Sequence, residues 1–283
     1  MDPLNFKAIK LYENPSMQST LAWHPKENKI VISLLKGFMH DELNVLDIAT
    51  GNLEPITDIE GLNLFPSWRS DGEWIILTTD ARHPTHGQDE LILLNPVTKE
   101  VIYLSGPDGI KPEFRGLHTT WNPLKDDEVA LGGTYYGYQS PRPISIYSEI
   151  FSDNPGRRRL HTDEQLEKVY PRPSNVYEGN SGVSWSPDGA LIAYAVSYFD
   201  GYEWRQRIAL AAPDGNSTEI LPYEYADCPK WSPGGRYLIF IAWGQKTNNK
   251  THLFRLALDG RSLEDLTIKF NPDWMDFDPA WYG

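Results

Sequence analysis

The sequence predicts an all-β fold, a β-propeller of four-stranded antiparallel blades, and three observations lead to it. A tryptophan motif recurs along the chain, a strand-like run follows each copy, and tight glycine-containing corners separate later runs. The composition agrees, because the 283 residues include 10 Trp, 15 Tyr, 22 Gly and 22 Pro. Aromatic side chains and abundant turn residues suit many short strands joined by tight corners.

The tryptophan motif is the repeat that defines the units. Its five full copies are LAWHP at 21–25, PSWRSDG at 66–72, TTWNP at 119–123, VSWSPDG at 183–189 and PKWSPGG at 229–235. A sixth fragment, DPAW at 278–281, stands close to the end of the chain, and successive tryptophans are 45, 53, 64, 46 and 50 residues apart. Self-similarity at such a period indicates a repeat architecture, in which the tryptophans pack one unit against the next.

The segments after each motif supply the strands of one unit. The first strand-like runs are 30–34, 74–78, 128–131, 191–196 and 237–242. Corners such as Asp214-Gly215 and Asp259-Gly260 then provide the positive φ that tight hairpins need. A four-stranded unit cannot bury both of its faces alone, so we expect the units to stack radially into a ring. The predicted single domain spans 1–283, with blades at about 20–57, 66–105, 119–162, 183–221 and 229–267.

Ring closure involves the two ends of the chain. We predict five complete blades, with the terminal segments 5–12 and 278–282 closing the ring. A sixth blade remains an alternative, if the terminal segments form an incomplete one.

The tryptophan motifs carry a resemblance to a known family. Trp185-Ser186-Pro187-Asp188-Gly189, followed by an Ile-Ala-Tyr strand, is similar to the repeat of TolB-like β-propellers and of the propeller domains of prolyl-oligopeptidase-type enzymes. The resemblance covers about residues 18–282, although the segment 122–126 is lengthened and 24–28 lacks the glycine. It implies a propeller that engages a partner protein or peptide at the mouth of its central channel. A fold is a scaffold for many activities, so the resemblance is specific for the fold and weak for function.

Charge and composition exclude several classes of partner. The net charge of −13 would repel a phosphate backbone, so we expect no nucleic acid partner. No apolar run is long enough to cross a bilayer, so we expect no membrane insertion. Residues 1–7 lack the apolar core of a signal peptide, which predicts a cytoplasmic protein, or a periplasmic one if a leader has been removed. The oligomeric state is left open.

Strand order predicts where a binding site lies. In an up-and-down blade, the second connection and the crossover to the next blade lie on one face of the ring, here called the long-loop face. We expect the second connections to be long, for example 34–43 and 197–206, and rich in aromatic residues. Long loops on a rigid scaffold commonly carry binding groups. The predicted binding residues are Tyr136, Tyr198, Tyr202, Trp204, Tyr223, Tyr225, Asp227, Trp243 and Trp274.

The alternative to a binding role is a structural one, in which about half of these aromatic side chains pack beneath their own loops. The carboxylates Glu224, Asp227, Asp276 and Asp278 are predicted near the channel, where they form an acidic rim that attracts a basic partner segment. This interpretation requires no cofactor and favours a non-enzymatic interaction module.

An enzyme is the alternative function. His83 and His86 stand three residues apart between carboxylates, and His40 and His118 are predicted on the same face. Together they could hold a divalent metal, as in propeller lyases or lactonases that act on a sugar or lactone. A nucleophilic hydrolase is not indicated, because the sequence has no Gly-x-Ser-x-Gly elbow. The one cysteine, Cys228, is expected to be a small buried residue.

Overall fold

The computed structural model describes residues 17–37, 40–82, 90–104, 118–132, 144–172, 175–243 and 250–270. Within these ranges the chain forms five four-stranded antiparallel sheets and two short helices. The strands of each sheet follow one another in chain order, so every sheet is a simple meander and forms one blade of the propeller. The predicted fold class, five complete blades, is confirmed.

The blades have the following bounds. Blade 1 contains β1 (Met17–Trp23), β2 (Lys29–Gly37), β3 (His40–Asp47) and β4 (Leu53–Pro55). Blade 2 contains β5 (Asn63–Trp68), β6 (Ile75–Thr79), β7 (Glu90–Leu94) and β8 (Val101–Tyr103). Blade 3 contains β9 (His118–Trp121), β10 (Val129–Gly132), β11 (Ser145–Ser148) and β12 (Gly156–Arg159). Blade 4 contains β13 (Val176–Trp185), β14 (Ile192–Phe199), β15 (Trp204–Ala211) and β16 (Thr218–Ile220). Blade 5 contains β17 (Ala226–Trp231), β18 (Tyr237–Trp243), β19 (Thr251–Ala257) and β20 (Leu263–Asp265).

The two helices flank these strands. Helix α1 (Asp163–Val169) lies in the crossover from blade 3 to blade 4, and α2 (Leu266–Phe270) follows β20. Within the ranges described above, no helix is long and apolar enough to span a membrane.

The core lies between neighbouring blades. Every residue of β6 and β7 is buried, because each face of a middle strand packs against the sheet next to it. Val31 and Leu43 of blade 1, for example, pack with Ile75 and Ile92 of blade 2. The outer strands are only three or four residues long. The apolar side chains are therefore buried between neighbouring sheets and not in one core at the centre of the protein.

The repeated tryptophans link one blade to the next through their indole N–H groups. The indole of Trp121 donates a hydrogen bond of 3.0 Å to the carbonyl of Ser67, and that of Trp231 donates one of 3.0 Å to Ser184. The indole of Trp68 reaches Ala22 in the same way, at 3.3 Å. In each case the acceptor directly precedes the tryptophan of the previous blade. The motif thus repeats a hydrogen bond between blades as well as a packing contact.

The junction between blades 3 and 4 uses a different bond. The indole of Trp185 donates to the carbonyl of Gly189 in its own corner, at 3.1 Å. The backbone N–H of Trp185 instead reaches across to Thr120 Oγ1, at 3.1 Å. This junction is therefore connected through a side-chain hydroxyl rather than through the indole.

Bulges bend three of the innermost strands at the third residue before the tryptophan. Phe65, Gly182 and Cys228 occupy this position and have φ values of 54°, 152° and 49°. The strand pairing shifts register at the same place in each strand. A bulge adds an unpaired residue and redirects the chain. Each of these bulges therefore redirects the first strand of its blade before the strand continues toward the tryptophan.

The prediction of a long second connection is wrong in blades 1 and 4, where this connection is short. The connection between β2 and β3 is only 38–39, since Leu35 pairs with Asp41 and Gly37 with His40. The connection between β14 and β15 is only 200–203, since Phe199 pairs with Trp204. Backbone pairing continues through residues that the sequence suggested were loop. The segments 5–12 and 278–282 lie outside the described residues, so closure of the ring by them stays a prediction.

Candidate functional site

Seven of the nine predicted binding residues lie in blade 4 and at the start of blade 5, while Tyr136 and Trp274 lie outside the described residues. Tyr198 is buried and packs against Tyr170, with ring centroids 5.3 Å apart. Tyr223 is half-buried against Phe240 at 5.6 Å. These two tyrosines contribute to the core between blades, in agreement with the structural alternative, in which part of the aromatic set packs inside the protein.

Tyr225, Asp227 and Trp243 line a single cavity, here called the blade 4–5 pocket. It has a volume of about 250 Å³, and its walls are completed by Gln206, Ile241, Ala242 and Thr251. Trp243 ends β18, Thr251 begins β19, and Tyr225 ends the crossover into β17. The chain therefore places this pocket on the long-loop face, between the third strand of blade 4 and the first strands of blade 5.

Tyr225 and Trp243 form an aromatic corner at the pocket. Their ring centroids are 5.5 Å apart and the ring planes meet at 88°. Both side chains remain about half exposed, at 48% and 49%. The backbone of Tyr225 has a φ of 55°. Its N–H donates to the carbonyl of Gln206 at 2.8 Å, and its carbonyl accepts a hydrogen bond from the N–H of Trp243 at 3.2 Å. Such left-handed geometry is costly for a tyrosine, and residues of this kind concentrate at binding sites.

Among the described residues that line the pocket, Asp227 carries a charged side chain. Its Oδ2 accepts a hydrogen bond from Gln206 Nε2 at 2.9 Å, and its Oδ1 accepts one from the backbone N–H of Cys228, also at 2.9 Å. Cys228 is the bulge residue of β17, so the bulge fixes the direction of the carboxylate. Cys228 itself is half-buried and its Sγ donates to the carbonyl of Ser181 at 3.1 Å.

An aromatic patch on blade 4 continues the pocket. Trp204 is 51% exposed, and its ring centroid lies 5.7 Å from Tyr177 and 6.0 Å from Phe199. Cross-strand pairing places all three rings on the same face of the sheet as Gln206, whose side chain reaches blade 5. We call Tyr177, Phe199 and Trp204 the blade 4 patch.

Ion pairs hold the turn beside the patch. Arg205 bonds Asp200 at 2.7 Å and Glu203 at 2.9 Å, and Arg207 bonds Glu224. The pKa of Asp200 is lowered to about 2, first by the backbone N–H groups of the turn and then by Arg205. The hydrogen bond to Glu224 raises the pKa of Arg207. This network orients the turn 200–203, on whose tip Tyr202 is 94% exposed.

His118 is one of the two described histidines among the metal candidates. It begins β9, and its ring packs on Phe65 of blade 2 with centroids 4.4 Å apart. Burial, and then the charge of Lys230, lower the pKa of His118 to about 3. The imidazole is therefore neutral at physiological pH and packs as an aromatic ring.

His40 begins β3 of blade 1, two blades away from His118. His83 and His86 lie outside the described residues, as do Asp276 and Asp278, so the convergence of four histidines stays a prediction. Across the part of the chain that the structure describes, no group of three or more His, Cys, Asp and Glu side chains could hold a metal ion.

Gln206 and Thr251 also line the pocket, although neither was among the binding residues predicted from the sequence. A signal for Gln206 was present, because it stands two residues after Trp204 and alternate residues of a strand share one face. No comparable signal marked Thr251, whose position depends on where β19 begins.

Solved structures similar to this chain are β-propellers. TolB from Acinetobacter baumannii is 19% identical, with a TM-score of 0.61, over 87% of this chain and 53% of its own length. A putative TolB from Agrobacterium tumefaciens is 16% identical, with a TM-score of 0.64, over 90% of this chain and 82% of its own. The tricorn protease is 14% identical, with a TM-score of 0.58, over 90% of this chain and 23% of its own.

The protein therefore has a TolB-like β-propeller fold, as the tryptophan motifs suggested. It spans about half of the length of the Acinetobacter TolB, 53%. No protein-family model matches the sequence, and no curated protein matches it. Identities this low support the fold alone.

Proposed function

We propose that this protein is a non-enzymatic interaction module that binds a protein or peptide partner at the junction of blades 4 and 5. The binding surface consists of the blade 4–5 pocket and the blade 4 patch. The observation that carries the proposal is the convergence of Tyr225, Asp227 and Trp243 on one pocket.

The distribution of exposed aromatic residues supports this location. In the described ranges, the large hydrophobic side chains that are exposed include four Tyr or Trp residues, and all four belong to blade 4 or the start of blade 5. These are Tyr202, Trp204, Tyr225 and Trp243. Tyrosine and tryptophan are enriched among the residues that dominate binding energy at protein interfaces.

The scaffold supports the proposal only in part. Propellers of this fold occur in TolB and also in the tricorn protease, so the fold does not decide between binding and catalysis. The local structure favours binding, because the described residues that line the pocket include one carboxylate, oriented by an amide, and no second acidic or basic side chain. General acid–base catalysis needs a second group placed to act on the same substrate.

Affinity capture with matched variants tests the proposal. The parent protein, a Trp204→Ala/Trp243→Ala variant and a Val97→Ala/Leu124→Ala variant are each used as bait in a native lysate. Val97 and Leu124 are more exposed than the aromatic pair, but they lie in the short corners β7–β8 and β9–β10, on the opposite face. We expect a stoichiometric partner with the parent and the corner variant, and its loss with the aromatic variant. A partner that binds all three baits equally would refute the location.

A further inference from the structure

We propose that a hard divalent cation, Ca²⁺, binds between blades 1 and 2 at a site formed by Ser33, Asp41 and Asn63. Asp41 lies at the start of β3 and Asn63 begins β5, so the site is on the long-loop face. Four buried oxygen atoms carry the proposal, because within the described ranges they have no hydrogen-bond partner. The site is separate from the blade 4–5 pocket, and the proposal does not depend on the proposed function.

The strand pairing of blade 1 turns Ser33 and Asp41 toward blade 2. Ser33 pairs with Leu43 across β2 and β3, and Asp41 lies two residues before Leu43 on β3. Paired residues and alternate residues of a strand share one side of a sheet, so these three side chains lie on the same side. Leu43 packs with Leu77 of blade 2, which shows that this side faces the junction between the blades.

Asn63 closes the site from blade 2. Its Nδ2 donates hydrogen bonds to the carbonyls of Asp41 at 2.7 Å, Ile59 at 3.0 Å and Gly61 at 3.2 Å. These three acceptors fix the orientation of the amide, because its nitrogen carries the donors and its oxygen can only accept. Asn63 Oδ1 therefore points away from these carbonyls, and among the described residues it has no partner. The bond to Asp41 joins the two blades at the site.

Asp41 supplies the negative charge. Its side chain is 0% exposed, and neither carboxylate oxygen has a hydrogen-bond partner in the part of the chain that the structure describes. A buried carboxylate without donors is costly, and buried charges are normally paired or coordinated to a metal. Burial raises the pKa of Asp41, while the charge of His40 lowers it and that of Asp80 raises it. A cation between the facing oxygens would satisfy them together.

Asp80 favours a divalent ion over a monovalent one. It is buried, and its Oδ1 accepts a hydrogen bond of 2.6 Å from the N–H of Leu62, which precedes Asn63. Its charge is close enough to raise the pKa of Asp41. Two carboxylates near each other repel, and an ion of charge two relieves this repulsion more than an ion of charge one.

The chemistry of the donors selects Ca²⁺ among divalent ions. A carboxylate and an amide oxygen are hard ligands, and a hydroxyl oxygen is of the same kind, so softer metals are not favoured. Mg²⁺ usually keeps several of its waters, whereas Ca²⁺ takes side-chain and carbonyl oxygens in a flexible geometry. The side chains of Ser33, Asp41 and Asn63 are all fully buried, which leaves little room for retained waters. This oxygen set differs from the groups of three His, Cys, Asp or Glu side chains considered above.

Calcium binding by the whole protein is the first measurement. The protein is treated with EDTA, moved into chelator-free buffer and titrated calorimetrically with CaCl₂, and with MgCl₂ and NaCl at matched ionic strength. We expect one Ca²⁺ per chain, affinity for Mg²⁺ that is about tenfold or more weaker, and no saturable binding of Na⁺. A ligand that binds only the folded state stabilises it, so Tm should rise by about 5–10 °C at a Ca²⁺ concentration about a hundredfold above Kd.

Variants of the ligands locate the ion. Asp41→Asn keeps the shape of the side chain and removes its charge, so affinity for Ca²⁺ should fall by about tenfold or more and the rise in Tm should be lost. Ser33→Ala removes one neutral oxygen and should weaken binding less. Asp259→Asn, which removes a charge from the exposed β19–β20 corner, is the control and should bind like the parent. If Asp41→Asn does not fold, Ser33→Ala still tests the location.

A protonated Asp41 that donates to Asn63 Oδ1 is the competing explanation of the same oxygens. It predicts that Asp41→Asn is at least as stable as the parent and that Ca²⁺ changes the Tm of neither protein. That result, or no saturable binding by the parent up to about 10 mM CaCl₂, would overturn the calcium site. Equal binding by the parent, Asp41→Asn and Ser33→Ala would overturn it as well. Affinity capture that depends on Trp204 and Trp243 is decided independently, so the interaction module and the calcium site can fail separately.

Discussion

Replacement of Trp231 by phenylalanine tests whether the repeated indole bond holds neighbouring blades together. The indole N–H of Trp231 donates to the carbonyl of Ser184 in blade 4 at 3.0 Å, and both residues are buried. Phenylalanine keeps an aromatic ring at the position and removes the donor. The carbonyl of Ser184 then has no partner from blade 5.

The expected cost comes from two contributions. A buried carbonyl left without its hydrogen bond costs about 1–3 kcal/mol. The smaller ring forfeits about 1 kcal/mol of apolar burial. We therefore expect the free energy of unfolding to fall by about 2–4 kcal/mol in Trp231→Phe.

Trp185→Phe is the matched comparison. The indole of Trp185 bonds the carbonyl of Gly189 in its own corner, and Gly189 is partly exposed, so water can replace the lost donor. The same substitution should therefore cost only about 1–2 kcal/mol at this site. The two variants make the same chemical change, but only one removes a bond between blades.

Urea unfolding measured by far-UV circular dichroism compares the two variants, and the nine tryptophans that remain out of ten provide fluorescence as a second probe. Hydrogen exchange should show faster opening of β17 in Trp231→Phe and no such change in Trp185→Phe. The reasoning is refuted if the two variants differ by less than about 0.5 kcal/mol, a difference within the error of additivity.

Two further predictions concern a turn and a buried ring. Gly51 and Gly215 have φ values of 72° and 73°, but an added Cβ meets nothing near Gly51 and overlaps the carbonyl oxygen of Leu160 near Gly215. Gly51→Ala should cost about 1–2 kcal/mol from backbone strain, and Gly215→Ala clearly more; equal melting temperatures would contradict this. The pKa of His118 is lowered to about 3, so the unfolded chain takes up a proton near pH 6.5 before the folded one does. The stability that the neutral His118 contributes is therefore fully present above about pH 6.5 and is lost as the pH falls toward 3. Between about pH 7.5 and about pH 5, the urea midpoint should fall further in the parent than in His118→Gln.

The repeat could be predicted because its signals are local. Each tryptophan motif, strand and Asp-Gly corner lies within one blade, and a four-stranded meander needs only short-range pairing. The loops were harder to predict. Composition placed Phe199 and Trp204 in a predicted loop, yet these two residues pair across a tight turn. Hydrogen bonding along β14 and β15 outweighs the preference of single residues.

The candidate site, like the fold, could be predicted from the sequence only in part. Sequence alone selected Tyr225, Asp227 and Trp243 as residue types suited to binding, but it also selected Tyr198 and Tyr223, which the structure packs into the core between blades. Composition cannot separate these cases, because a tyrosine serves equally well in a core and on a surface.

The sequence by itself determined that the protein is a propeller with five full blades, since that follows from a periodic pattern of motifs. Only the tertiary structure decided which aromatic residues meet at one pocket. That choice depends on the bulge at Cys228, on the left-handed backbone of Tyr225 and on the contact of Gln206 with blade 5. These features arise where two blades pack together, and such contacts between distant segments leave no periodic trace in the chain.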